Sequence, residues 1–124
     1  MGAQVTLIAH ITTRDSWQQA QSQGNYTAES LTSDGFIHCS TLVQVAATAN
    51  RYYAGQRGLL LLIIDPQLTL PELLYEHSPS VDEFFPHLYG PLNLDAVVRV
   101  VAFDPDAQGQ FHAPDLSDLS TETE

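Results

Sequence analysis

Six consecutive apolar residues, Leu59 to Ile64, stand between Gly58 and the pair Asp65-Pro66. The run has the length of a strand, and no polar residue alternates within it. Both of its faces must therefore be covered by other parts of the chain. Pro66 cannot continue a hydrogen-bonded ladder and ends the strand. The rest of the sequence has to supply a layer on each side. At 124 residues it is long enough to do so as one domain, burying roughly two-thirds of its unfolded surface without metal or disulfide staples. An apolar content of 44% fits a globular chain. No apolar run approaches the roughly 20 residues that cross a bilayer, so no membrane association is expected. The opening MGAQVTLIAH has neither a basic flank nor a long apolar stretch before a cleavage site, so no secretory signal is expected either. The single cysteine, Cys39, excludes an internal disulfide, and a cytoplasmic location is the expectation.

Charge narrows the partners. The net charge is −11, with four arginines, no lysine and fifteen acids. Six of the acids lie from Asp104 onward without a basic partner, and residues 1–103 still carry nine acids against four arginines. Such a surface repels phosphate backbones, which disfavours a general nucleic-acid binder. A small anionic ligand remains compatible if an arginine or a helix N-terminus faces its pocket.

Gln4 to Ile11 is rich in apolar and β-branched residues and reads as a first strand ending at His10. Thr13 or Asp15 can cap a following helix, with Trp17 and Ala20 on its apolar face and Gly24 as its stop. Asn25 to Asp34 reads as loop, with a short strand near Glu29 to Leu31. Gly35 breaks into a second short strand, Phe36 to Ser40. From Thr41 to Tyr53, Leu42, Val45, Ala46, Ala49, Tyr52 and Tyr53 recur at helical spacing, with Ser40 or Thr41 as N-cap and Gly55 as stop. Leu73 to Glu76 reads as a strand, Ser78 to Pro91 as an ordered loop dense in turn residues and aromatics, and Asp95 to Phe103 as a last strand. Beyond Asp104 the composition turns to Asp, Gly, Ser, Pro and Thr, so residues 104–124 are expected to form a frayed acidic tail on a body spanning 1–103. Two main helices among five or more strands predict an α+β domain.

Side-chain alternation then picks out candidate site residues. Phe36, His38 and Ser40 share one face of their strand and Ile37 and Cys39 the other. The natural arrangement buries Ile37 and Cys39 and turns His38 and Ser40, with Thr41 behind them, toward a cleft. His10 and Thr12 repeat the same histidine-x-hydroxyl pattern. If the two strands are neighbours, two imidazoles and two hydroxyls converge where a small polar molecule could bind. The competing reading is that each histidine is a hydrogen-bonded structural residue. Histidines at 10, 38, 77, 87 and 112 have no metal-ligand spacing, so no metal site is expected. Adjacent strand residues face apart, which argues against a Cys39–His38 nucleophile pair. A second cluster, LYEHSPSVDEFFPHLYGPL, offers Glu76, His87, Tyr89 and Gly90, with Pro86 and Pro91 stiffening a segment that could wall a pocket. Arg51 is expected to pair with an acid.

An opening strand ending in HIT, a helix with Trp17, and then ESL, GFIHCST, QVAATANRYY, LLLLIID, LYE, FPHLYGPL and AVVRV resemble, from about Val5 to Val101, the bacterial family called domain of unknown function 952. The family in turn is similar to the ADP-ribosyltransferase-like structural group. That similarity implies a split, mixed or antiparallel α+β sheet around a cleft for a nicotinamide dinucleotide, as in poly-ADP-ribose polymerases and RNA 2′-phosphotransferases. It implies that His10 and Thr12 contact the dinucleotide's ribose. It also implies that GFIHCS and the helix after it line the nicotinamide pocket. The glutamate that such transferases carry late in the chain has no clean match: Glu76 comes early, and the segment that fits by order offers His87. The arginines of the phosphotransferases have no counterparts. The resemblance thus implies binding of NAD, ADP-ribose or a similar small polar ligand, and ADP-ribosyl transfer or hydrolysis with Glu76 and His87 as catalytic candidates. The alternative is a non-catalytic module for a small ligand or a protein.

Overall fold

A computed structural model describes residues 6–116. The long apolar run is strand β5 (Leu59–Ile64), and it lies inside a four-stranded sheet. It pairs with β1 (Ile8–Thr13) on one side and β9 (Val97–Phe103) on the other, and β4 (Ser40–Thr41) completes the sheet beyond β1 in the order β4-β1-β5-β9. A three-stranded sheet, β3 (Ile37–His38), β7 (Glu83–Tyr89) and β6 (Glu72–Ser78), runs in the order β3-β7-β6, and β2 (Asn25–Tyr26) pairs with β8 (Leu92–Asn93) in a short ribbon. Every described pairing is antiparallel. Three helices accompany them: α1 (Arg14–Gln23), α2 (Glu29–Ser33) and α3 (Val45–Tyr52), with one 3-10 turn at Leu94–Ala96. The α+β class holds, and no described helix is long and apolar enough to cross a membrane.

Both faces of β5 are buried, as its composition demands. Leu62 and Ile64 enter a core with Ile8, Ile37, Leu88 and Leu92. Leu61 and Ile63 enter a second core with Ile11, Val45, Ala49 and Phe103. Each such side chain contributes about 1.5–3 kcal/mol of transfer free energy, so β5 alone anchors both layers.

Helix α1 follows its sequence signals: Thr13 accepts the Ser16 N–H at 3.1 Å, and Gly24 closes the helix at φ 93°. Several expectations are corrected. The first strand does not end at His10 but runs on to Thr13. Glu29 to Leu31 is not strand but the start of α2. The third helix begins at Val45 rather than Thr41, because Thr41 to Gln44 forms a closed turn. There Thr41 N–H donates to Gln44 Oε1 and Gln44 N–H donates back to Thr41 Oγ1.

Phe36 to Ser40 is not one strand. Ile37 and His38 pair with β7, Ser40 and Thr41 pair with β1, and the chain changes sheets at buried Cys39. Ser78 to Pro91 is not a loop either, since Glu83–Tyr89 forms the central strand of its sheet. Pro86 is tolerated there because its missing N–H faces the side where β3 stops, and its carbonyl accepts the Cys39 N–H at 3.0 Å. The expected frayed tail is packed in its described part. Phe111 and Leu116 are buried in the second core, and Asn50 clamps the Phe111 backbone by two hydrogen bonds. Residues 117–124 lie outside the described part of the chain.

Candidate functional site

The two main sheets leave an open cleft of about 1210 Å³. His10, Thr12, His38, Ser40 and His87 all line it, so β1 and the 36–41 corner do converge. The register is direct, with Ala9 opposite Ser40. A separate recess of about 70 Å³ beside α1 carries no titratable side chain.

His10 sits deepest. Its Nδ1 lies 2.6 Å from the His38 carbonyl oxygen, which can only accept, so Nδ1 carries the proton. Nε2 is then a lone pair and takes the Tyr26 hydroxyl proton at 2.8 Å. Tyr26 having donated, the Thr12 hydroxyl donates to its oxygen at 2.9 Å. The chain Thr12–Tyr26–His10–His38 carbonyl is therefore fully directed. Burial lowers the His10 pKa to about 4 and raises that of Tyr26, so both stay neutral. The sequence did not single out Tyr26. It stands in a two-residue strand inside a stretch read as loop, and the one available signal is a lone aromatic two residues after the Gly24 helix stop.

A second cluster stands on the three-stranded sheet. His38 and His87 are paired residues of β3 and β7, with ring centroids 5.4 Å apart. Each imidazole has a carboxylate: Asp34 at 2.9 Å from His38 Nε2, and Glu76 at 2.8 Å from His87 Nδ1. Phe36 stacks on His87 at 3.9 Å and 16°, pinning its ring. Tyr89 donates its hydroxyl to the same Glu76 oxygen at 2.5 Å. The hydrogen bonds from Tyr89 and then His87 hold Glu76 below the usual carboxylate range, and the Tyr89 phenol is pushed up by the same contact.

Other expected site residues do different work. Glu76 and Tyr89 stand behind His87 and do not line the cleft. Thr41 is spent on the Gln44 turn, and Gly90 packs against Pro71, where an added Cβ would meet Pro71 Cβ at 2.8 Å. Ser40 is buried on the cleft wall, its hydroxyl 3.4 Å from that of Thr48. Cys39 faces the interior and burial pushes its thiol up to about 12, which removes it as a nucleophile. Arg51 leans over the Tyr52 ring, 5.8 Å from its centroid, and is not itself among the residues lining the cleft. The remaining histidines, His77 and His112, pair with Asp82 and Asp106. Among the described residues, no three His, Cys, Asp or Glu side chains are grouped to hold a metal ion.

The family model described as "Protein of unknown function (DUF952)" matches residues 11–100. Among solved structures, the chain is similar to protein CC0527 from Caulobacter crescentus. The crystal structure is 35% identical, covers 94% of this chain and 99% of that one, and has a TM-score of 0.79. A crystal structure of a double mutant of the same protein gives 35% identity, the same coverage and a TM-score of 0.78. The solution NMR structure gives 36% identity, 92% and 96% coverage and a TM-score of 0.75. No curated protein matches the chain.

Proposed function

This chain belongs to the DUF952 family of proteins of unknown function, and we propose that its cleft binds a small polar ligand built on ADP-ribose, with NAD as the representative. One observation carries the reading. The histidine-x-hydroxyl pairs His10/Thr12 and His38/Ser40 arrive on a single open cleft between two antiparallel sheets. The ligand class is taken from the resemblance to the ADP-ribosyltransferase-like group. The cleft volume exceeds the roughly 300–1,000 Å³ of ordinary small-molecule pockets, room enough for a dinucleotide. Its hydroxyls suit ribose, its aromatic rings suit a planar base, and Thr13 and Ser16 bring the first turn of α1 to the wall for a diphosphate.

The glutamate of the transferases is the point of departure. Glu76 faces His87 and Tyr89 instead of the cleft, so its transferase role is not carried over. That departure favours the second reading, a module that binds without transferring ADP-ribose to an acceptor. Both readings predict binding. Excess ADP-ribose or NAD should raise the melting temperature, by the equivalent of about 2.7 kcal/mol at a hundredfold excess over Kd. His38→Ala, checked for folding by circular dichroism, should abolish the rise, since the His38 ring is exposed on the cleft whereas both His10 ring nitrogens are bound within the fold. A wild-type protein whose melting temperature responds to neither nucleotide would sink the proposal.

A further inference from the structure

The two long edge strands are built differently. Strand β6, at the rim of the three-stranded sheet, carries Glu72 and Glu76 along its length. Strand β9, at the rim of the four-stranded sheet, carries no acid. It reads VVRVVAF in a chain with fifteen acids and a net charge of −11. Among the described residues β9 pairs with β5 alone, and no backbone hydrogen bond outside that ladder engages residues 99–103. Every second residue of such a rim turns its N–H and C=O outward. Val98 and Val100 are 41% and 37% exposed, and Ala102 is exposed beside them.

Natural sheet edges carry lysine, proline, inward-pointing charge or bulges that keep other chains away. Strand β9 has one such device, a bulge at Val98, where Ile63 pairs with Arg99 and Ile64 with Val97. The bulge leaves 99–103 as a regular stretch, and buried Pro105 stops the strand beyond it.

Charge and sequence select the occupant. Two copies of this chain repel each other over most of their acidic surfaces, and the acid-free β9 rim is where they approach with the fewest like charges opposed. The stretch is also complementary to itself. Paired antiparallel with the same residues of a second copy, 99–103 centres on Val101. Val101 then faces Val101 of the second copy, Val100 faces its Ala102, and Arg99 faces its Phe103, so no two charges meet. Centring on Arg99 instead would set two guanidinium groups opposite each other.

We propose that β9 is a homodimer interface, in which residues 99–103 of two copies pair antiparallel about a twofold axis at Val101 and join two four-stranded sheets into one. The pairing consumes both β9 rims, so it closes at two copies. Residues opposite one another in a ladder share a face, and Leu62 stands opposite both His10 and Val100. The His10 faces of the two copies therefore lie on the same side of the joined sheet.

The test is sedimentation velocity on the full chain at up to about 1 mM. So short a ladder covers well under the roughly 1,200 Å² of a standard interface, and Kd should be on the order of 100 µM. Raising salt from about 0.05 M to about 0.5 M should tighten the dimer several-fold, because screening weakens the repulsion between two acidic copies. Val100→Lys should leave a folded monomer. It lowers the net negative charge, so loss of the dimer reports the strand rim rather than general repulsion. Tyr75→Lys on the β6 rim should leave the dimer intact. Oxidised Val101→Cys should cross-link, since the two positions face each other, whereas Val100→Cys alone should not. The native Cys39 is buried and does not compete. A chain that stays monomeric at about 1 mM in both salts overturns the inference. So does a dimer that survives Val100→Lys, or association that runs past two copies. Where circular dichroism shows Val100→Lys unfolded, the cysteines decide, and absence of a Val101→Cys cross-link overturns the pairing.

Discussion

At His10 both ring nitrogens are engaged, and burial holds the imidazole neutral down to about pH 4. In the unfolded chain the same group titrates near 6.5. Between those values the unfolded state binds a proton that the folded state refuses. Stability is therefore full above pH 6.5 and falls as pH drops toward 4, by about 3 kcal/mol in all. Urea midpoints measured from pH 7 to pH 4 should show this loss in the wild type, and His10→Gln should flatten it. An equally steep fall in the variant would show that His10 is not its source. Much of this residue scale was legible beforehand. Alternation put Ile37 and Cys39 inside and set His10 and His38 apart from their neighbours. Hydrogen-bond direction was not legible, because it depends on Tyr26 and on a carbonyl that comes from 28 residues away.

Strands β6 and β7 form the element on which the site turns. Their register sets Leu74 opposite His87 and Glu76 opposite Phe85, which makes Glu76 and His87 diagonal neighbours on one face. Reading 78–91 as loop hid this relation, since Pro86 and the Ser78–Asp82 turn look like breakers in one dimension. Helix α2 was missed for a different reason: at five residues, with Ala28 as N-cap and no side-chain cap bond, it has little local signal. Gly90 ends β7 with its α-carbon against Pro71, so Gly90→Ala must displace Pro71 or the strand end. Overpacking of this kind costs about 1–3 kcal/mol. The substitution should lower the unfolding midpoint, and amide-exchange protection should fall first around β7 and β8. A midpoint equal to wild type would show that the junction gives freely.

For the whole molecule, the segment after β9 belongs to the domain at least to Leu116. Phe111 packs on Phe103 with ring centroids 4.8 Å apart, and Asn50 of α3 holds its backbone. Phe111→Ala should cost about 3–5 kcal/mol in a denaturant titration with an unchanged m-value, whereas a dispensable tail would leave the midpoint where it is. Composition misled here: a stretch of Asp, Gly, Ser and Pro reads as frayed, yet one aromatic side chain finds a slot that exists only once α3 and the four-stranded sheet have met. The same division runs through the protein. Local sequence determined the two-faced β5 strand, the capped α1 helix, the α+β class and the histidine-x-hydroxyl pairs, because periodicity, capping and charge act over a few neighbouring residues. Tertiary structure alone decided that the chain changes sheets at Cys39, that Glu76 backs His87, and that Tyr26 completes the His10 network. Those contacts join residues 11 to 51 positions apart, from Glu76–His87 to Ile37–Leu88, and they depend on strand register and sheet pairing that no local pattern encodes.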